Sequence, residues 1–187
     1  ATPGFYNIVV TAPNGCAHTD TVEVVSDQTA PALTTAVSDT LTCALDTVLI
    51  SAQSNISGTV FLWSGPQNFS ATQPDTTVVS AGIYTLLATA PNGCASTDTL
   101  LIPIDTIPPQ LNAAGDSLNC QQTSVQLSAG FTPANASVNW SGPQNFSSNL
   151  PDPIVSVSGN YTVAVTAANG CQVSASVQVV ADTLPPQ

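Results

Sequence analysis

The chain contains no lysine, no arginine and no methionine, and its single histidine is His18. Each absence closes a class of function. Nucleic-acid binding draws on cations that displace the counterions of a phosphate backbone, and this chain has none to offer. An anionic membrane face likewise finds nothing to attract it, and a trypsin-like protease finds no site. No run of 18 apolar residues occurs, so no helix that could span a bilayer is expected. The opening residues do not have the pattern expected of a signal peptide. Charged residues make up 6% of the chain and all are acidic, giving a formal charge of −11. The solvated surface must therefore be built from Thr, Ser, Asn and Gln. A hydrophobic content of 43% is enough for packed cores, so the Ser/Thr/Pro-rich composition does not imply disorder.

What is present is a repeat. The order strand, Asn-Gly turn, cysteine, strand appears three times: from Tyr6 through Asn14-Gly15-Cys16, from Tyr84 through Asn92-Gly93-Cys94, and from Tyr161 through Asn169-Gly170-Cys171. The three tyrosines stand 78 and 77 residues apart. A period of this length marks tandem modules. Residues 1–30 read as the C-terminal hairpin of an incomplete module, 31–107 and 108–184 as two full modules, and 185–187 as the start of a further linker. The chain opens in mid-repeat and is expected to be part of a longer polypeptide, with any export signal outside it.

Within each module the pattern alternates with the period of two that marks half-buried strands. Val48, Ile50 and Ala52 match Val125, Leu127 and Ala129. Phe61 and Trp63 match Val138 and Trp140, whereas Val60 and Leu62 match the polar Ser137 and Asn139, so the first set faces inward. No stretch has helical periodicity. About seven short strands, one Trp on the third and a cysteine pair predict an all-β fold of tandem seven-stranded β-sandwiches in a linear array. The Tyr at the start of the sixth strand suits a tyrosine corner, its phenol bonding back to the preceding turn.

The five cysteines are Cys16, Cys43, Cys94, Cys120 and Cys171, and Cys43 to Cys94 and Cys120 to Cys171 are both 51 residues. Equal spacing predicts two bridges within modules, Cys43–Cys94 and Cys120–Cys171, with Cys16 paired outside the chain described. Zinc is the rival reading and fails on spacing, because there is no CxxC pair and only one His. Closing such a loop stabilises by about 4 kcal/mol in the chain-entropy model, which a module under ~80 residues needs. Because each second cysteine lies beyond the Asn-Gly turn, the bridge is expected at one end of the sandwich and not beneath the Trp.

The order Cys, Trp-Ser-Gly-Pro, Gly-x-Tyr-Thr, Asn-Gly-Cys, Asp-Thr-x-Pro-Pro resembles the Ig-like (PKD/HYR-like) repeats of giant secreted surface proteins of Bacteroidota. The resemblance covers Cys43, Trp63, Tyr84, Cys94 and Asp105, and again Cys120, Trp140, Tyr161, Cys171 and Asp182. It implies surface adhesins or subunits of extracellular appendages exported by the type IX route, hence a location outside the cell. It implies no particular ligand.

Eight of the ten Asp residues are followed by Thr or Ser. One reading is that Asp ends a turn and Thr begins a strand. The other is that the pattern resembles the Asp-Ser/Thr-aliphatic O-glycosylation signal of Bacteroidota, with Thr21, Thr40, Thr47, Thr76, Thr99, Thr106, Ser117 and Thr183 as acceptors. Asn-x-Ser/Thr sequons at Asn55, Asn68, Asn135, Asn139, Asn145 and Asn160 are mostly coincidence in such a composition. At the linkers, Asp27 and Asp39, then Asp105 and Asp116, with Asp182 beyond, could hold Ca²⁺ from both sides of a hinge; the plainer reading is that Asp caps the turn and Pro stiffens the chain. Otherwise no cofactor is expected. His18 corresponds to Ser96 and Val173, so its position is outward and substitutable. No catalytic set repeats, and the chain is not expected to be an enzyme. Trp63 and Trp140 are expected in cores, and Phe69 and Phe146 are expected to cover a sandwich end or a neighbouring domain. These features predict a structural repeat segment of a long extracellular stalk or filament. Its partners would be neighbouring repeats of its own chain, and identical chains if a fibre forms, with no nucleic acid and no membrane insertion. The alternatives are a glycan- or surface-binding module of an adhesin, or an accessory domain of a secreted hydrolase.

Overall fold

The computed structural model describes residues 2–182, and Thr183 and the linker segment 185–187 lie outside it. Every regular element among the described residues is a β-strand, apart from two 3-10 turns. Among the described residues no helix is long and apolar enough to cross a membrane. The chain opens with the hairpin β1 (Gly4–Thr11) and β2 (Ala17–Val24), which pair from Gly4↔Val24 to Thr11↔Ala17. The first full repeat carries β3 (Leu33–Val37), β4 (Leu41–Thr42), β5 (Val48–Ser54), β6 (Val60–Gly65), β7 (Phe69–Ala71), β8 (Thr76–Val78), β9 (Gly82–Thr89), β10 (Ala95–Ile102) and β11 (Ile104–Asp105). The second carries β12 (Gln110–Ala114), β13 (Leu118–Asn119), β14 (Val125–Gln126), β15 (Ser128–Thr132), β16 (Ser137–Gly142), β17 (Phe146–Ser148), β18 (Ile154–Val155), β19 (Gly159–Thr166), β20 (Gln172–Val179) and β21 (Ala181–Asp182).

Each repeat builds the same four-stranded sheet, β10-β9-β6-β7 and β20-β19-β16-β17. The opposing sheet is β3-β5-β8 in the first repeat. In the second it is divided into β12-β15 and β14-β18, where Leu127 N–H and Ala129 N–H donate instead to the carbonyls of Pro153 and Pro151. The result is the predicted all-β, Ig-like sandwich architecture.

By contact the chain forms two compact units that do not follow sequence order. One consists of the residues up to Ala36 with Ile50–Thr76 and Ile83–Leu100; the other of Val37–Leu49, Thr77–Gly82 and the chain from Leu101 onward. In the first unit Ile50, Ala52, Trp63, Tyr84, Leu86 and Ala88 are buried. The second has a core of Leu118, Val125, Leu127, Ala129, Val138, Trp140, Val155, Tyr161, Val163, Val165 and Val179. The alternation read from the sequence holds: Trp63 is 0% exposed and its neighbours Val60 and Leu62 are 66% and 41% exposed.

The repeated Trp-Ser-Gly-Pro-Gln-Asn-Phe-Ser segment has a packing explanation. A Cβ on Gly65 or Gly142 would overlap the ring of Tyr84 or Tyr161, so only glycine lets that ring lie flat against the strand end. The chain then turns through Gln67 and Asn68, or Gln144 and Asn145, all with φ between 56° and 60°. This brings Phe69 edge-on to Tyr84 at 5.2 Å and Phe146 edge-on to Tyr161 at 5.3 Å, a favoured aromatic geometry. Of the two expected positions, a sandwich end or a neighbouring domain, the phenylalanines thus take the first, each packing on the core tyrosine of its own repeat. Tyr161 Oη donates to the Val157 carbonyl at 2.8 Å, which is the predicted tyrosine corner, and Tyr6 Oη donates to Thr2 O at 2.7 Å.

Candidate functional site

The site begins at the Asn-Gly-Cys turn, which is built identically in all three copies. The Asn side chain accepts the amide proton of the Cys two residues on: Asn14 from Cys16, Asn92 from Cys94 and Asn169 from Cys171. The intervening Gly15, Gly93 and Gly170 have φ of 80°, 84° and 79°, a region that side chains with a Cβ rarely adopt.

The second function of the Asn is to grip the linker ahead of its own repeat. Asn169 Nδ2 donates to Asp105 Oδ1 and to the Ile107 carbonyl, both at 2.9 Å. Asn92 Nδ2 donates in the same way to the Thr29 carbonyl at 2.9 Å. Asp27, the counterpart of Asp105, accepts from Thr29 N–H at 3.0 Å. The Thr29 backbone, with the Thr29 hydroxyl and Asn92 behind it, holds the Asp27 carboxyl below its ordinary value.

The linker in turn pairs with the opening segment of the repeat before it. β11 runs parallel to β4, with Ile104↔Leu41 and Asp105↔Thr42, and Leu41 N–H donates to the Pro103 carbonyl. β21 pairs with β13 in the same way, Leu118↔Ala181 and Asn119↔Asp182. Cys43 follows β4. It is therefore carried by β4 and β11 to the Asn169 turn, where Ala44 N–H donates to the Asn169 carbonyl and Cys43 bonds to Cys171.

This corrects the predicted pairing. The bridge is Cys43–Cys171, across a sequence separation of 128, and neither Cys43–Cys94 nor Cys120–Cys171 forms. Cys16, Cys94 and Cys120 are free thiols. The reason is the length of one strand. Cys171 stands at the start of β20, whereas Cys120 follows β13, whose partner β21 lies beyond the end of β20. Eight residues at ~3.3 Å each span ~26 Å, well past the ~7 Å limit between bridged Cα atoms. The first repeat has the same order around β10, which separates Cys94 from β11 and from the β4 segment paired with it. The two cysteines of one repeat stand at opposite ends of its final strand.

Gly170 packs against Ala44 so closely that an added Cβ would overlap its side chain and stand 2.9 Å from its backbone nitrogen. At Gly93 and Gly15 nothing comes within 4 Å of that position. Beside the turn lies an open cleft of about 570 Å³, lined by Asp105, Ile107, Pro108, Thr132, Pro133 and Asn169 among others. It offers one carboxylate, already bonded to Asn169, and no nucleophile–base pair.

The remaining expected residues are dispersed. Asp20, Asp39, Asp98 and Asp116 each accept the amide proton of the following Thr or Ser, at 2.7–2.8 Å. Asp98 also accepts from the Thr35 hydroxyl. These four Asp-Thr/Ser pairs thus make local turn and strand contacts. Of the acceptor candidates, Thr21, Thr47, Thr99 and Thr106 are exposed, Thr40, Thr76 and Ser117 are half-buried, and Thr183 lies outside the described residues. Among the described residues no three His, Cys, Asp or Glu side chains come together as a metal group. Asp27 and Asp105 direct their Oδ1 atoms to backbone amides of their own linkers, and Asp116 bonds within its own turn region. His18 is exposed on β2. The Asn clamp was not singled out from sequence; its signal was the presence of Asn-Gly in all three copies, which the turn alone accounts for.

Scanned against protein-family models the chain matches none, and no curated protein matches it in sequence. Solved structures do match. A 1.5-MDa bacterial ice-binding adhesin, studied for its retention at a host cell surface, aligns at 13% identity over 84% of this chain and 67% of its own, with a TM-score of 0.51. Extracellular domains 3–5 of Drosophila OTK align at 14% identity over 97% and 72%, with a TM-score of 0.41. Immunoglobulin domains 1–4 of Sidekick-1 align at 11% identity over 96% and 58%, with a TM-score of 0.37. At these identities the likeness is one of fold, and it rests on the adhesin: the all-β sandwich architecture of this chain is similar in fold to that bacterial adhesin structure.

Proposed function

We propose that the chain is a mechanical segment of an extracellular stalk or filament, in which modules 31–107 and 108–184 are in-line repeats. The observation that carries this reading is the Cys43–Cys171 bridge, whose two cysteines belong to different sequence repeats. The bridge joins the opening segment of one sequence repeat to the turn of the next within one compact unit, and a covalent clamp of that kind suits a segment that bears load. The bridge also favours an oxidising location outside the cytoplasm, and the cation-free, hydroxyl-rich surface suits exposure to proteases. A surface adhesin or appendage of the Bacteroidota kind is the setting we infer, with some exposed Asp-Thr acceptors such as Thr21, Thr47, Thr99 and Thr106 glycosylated.

Force spectroscopy on the full chain, held by its two ends, tests the mechanical reading. Discrete rupture peaks from individual sandwiches are expected once the Cys43–Cys171 bridge, which otherwise shields the loop between its cysteines from the pull, has been reduced. Smooth extension at low force would defeat the proposal. Intact mass of native material tests the glycans: a value equal to the bare 18.9 kDa chain removes that part and leaves the rest standing.

A further inference from the structure

The free thiols of Cys94 and Cys120 occupy the same two positions as the bridged Cys171 and Cys43. Cys43 and Cys120 are 77 residues apart, as are Cys94 and Cys171. The correspondence extends to structure. Around Cys43, Ala44 and Leu45 N–H donate to Thr42 Oγ1, and Thr42 N–H donates to Leu45 O. Around Cys120, Gln121 and Gln122 N–H donate to Asn119 Oδ1, and Asn119 N–H donates to Gln122 O. The parallel pairing of the preceding strand with the linker strand is also present in both, β4 with β11 and β13 with β21. At the other half-site, Asn92 grips the Thr29 carbonyl as Asn169 grips that of Ile107. Cys94 N–H is held by Asn92 as Cys171 N–H is held by Asn169.

We propose that Cys120 and Cys94 are half-sites of a disulfide ladder along the chain axis. Cys120 bonds to the turn cysteine of a repeat placed next in line after it, and Cys94 to the opening cysteine of a repeat placed before its own. This rests on the in-line repeat reading above. Each rung joins two thiols into one S–S bond with loss of two protons and two electrons. The electrons pass to a disulfide oxidant by thiol–disulfide exchange, which reduces that oxidant to two thiols. Every repeat is then tied to both neighbours. Cys16, in the same turn as Cys94 and Cys171, is a third turn half-site.

The space around the glycines agrees with this assignment. Gly170, whose rung is formed, meets Ala44 directly, whereas Gly93 has nothing within 4 Å. The ladder requires that Gly93 lie against the opening segment of a preceding repeat once that rung forms.

The test is a chain lengthened by a second copy of residues 108–184 appended after Leu184, oxidised with glutathione disulfide and mapped by non-reducing peptide mass spectrometry. The expected result is Cys43–Cys171 retained and Cys120 joined to the turn cysteine of the added repeat, at the mass of one chain. A Cys120→Ser version of the lengthened chain should lose that rung alone and free the added turn cysteine. Cys120 still free, Cys120 joined to Cys171, or covalent dimers in place of the internal rung would each overturn the proposal. Small-angle scattering on the same lengthened chain reads the array separately. An elongated particle without the new rung would defeat the ladder and leave the in-line reading intact, and a collapsed particle would defeat the in-line reading itself.

Discussion

Gly170 shows how one residue type can be fixed for two reasons at once. Its φ of 79° is left-handed, and a Cβ there would meet Ala44. Gly93 has the same backbone conformation and open space. Gly93→Ala should therefore cost about 1–2 kcal/mol, the backbone penalty alone. Gly170→Ala should cost more by roughly 1–3 kcal/mol, the usual cost of overpacking; urea unfolding of both variants measures the difference. Tyr161 offers a second single-residue test. Its hydroxyl has one acceptor, the Val157 carbonyl, and Tyr161→Phe should lose about 1 kcal/mol by thermal or urea melting. Burial pushes the Tyr161 phenol above its ordinary value of 10.0. The unfolded chain therefore ionises first, and the stability this group contributes, fully present below pH 10, should fall as the pH rises above it. The Trp phase, the aromatic corner and the covering Phe were all legible in the sequence, because two aligned copies show which positions stay apolar. The Asn clamp was not, since its acceptors are a carboxylate and carbonyls some 62–64 residues away and leave no local pattern.

At the level of elements, the two-residue strands matter more than their length suggests. β4 and β11 exchange few bonds, yet they decide which cysteine Cys43 can reach. Equal spacing of cysteines predicts a bridge within each repeat, yet the same spacing is compatible with a bridge to the next. A period in sequence does not say whether position n bonds within its own copy or to the next. The deciding quantity is the span of β10 and β20, eight residues that put the two cysteines of a repeat at opposite ends. The linkers carry a pH signature. The Asp27 carboxylate lies below its ordinary value of 3.8, chiefly through the Thr29 amide. Its stabilising contribution is present above about pH 3.8 and should be lost as the pH falls through its lower folded value. Asp27→Asn should remove that component from an acid-melting series. Millimolar calcium tests the linker carboxylates directly: a rise in thermal midpoint would support calcium at the linkers, and an unchanged midpoint would support Asp as a turn cap alone.

For the molecule as a whole, the bridge is the largest single constraint on the unfolded state. Its loop exceeds 100 residues, and the chain-entropy model assigns such a closure about 5 kcal/mol. Reduction, or Cys43→Ser, should lower stability in that direction, read as a shift of the urea midpoint. The same loop shortens the extensible length. Held by its ends under oxidising conditions, the chain should release less contour than after reduction, by roughly 3.3–3.6 Å for each bypassed residue. Fold class and repeat period were legible because strand alternation and turn residues are local. The connection between repeats was not, because it depends on where distant strands end.

The bridge also changes what a cut in the backbone means. Because Cys43 and Cys171 are joined, a single nick anywhere between them leaves both pieces on one covalent molecule. A chymotrypsin-like cleavage at Phe131, for example, would give one band on a non-reducing gel and two after reduction. Damage to most of the chain would then not sever it, and separating the two pieces would take reduction of the bridge.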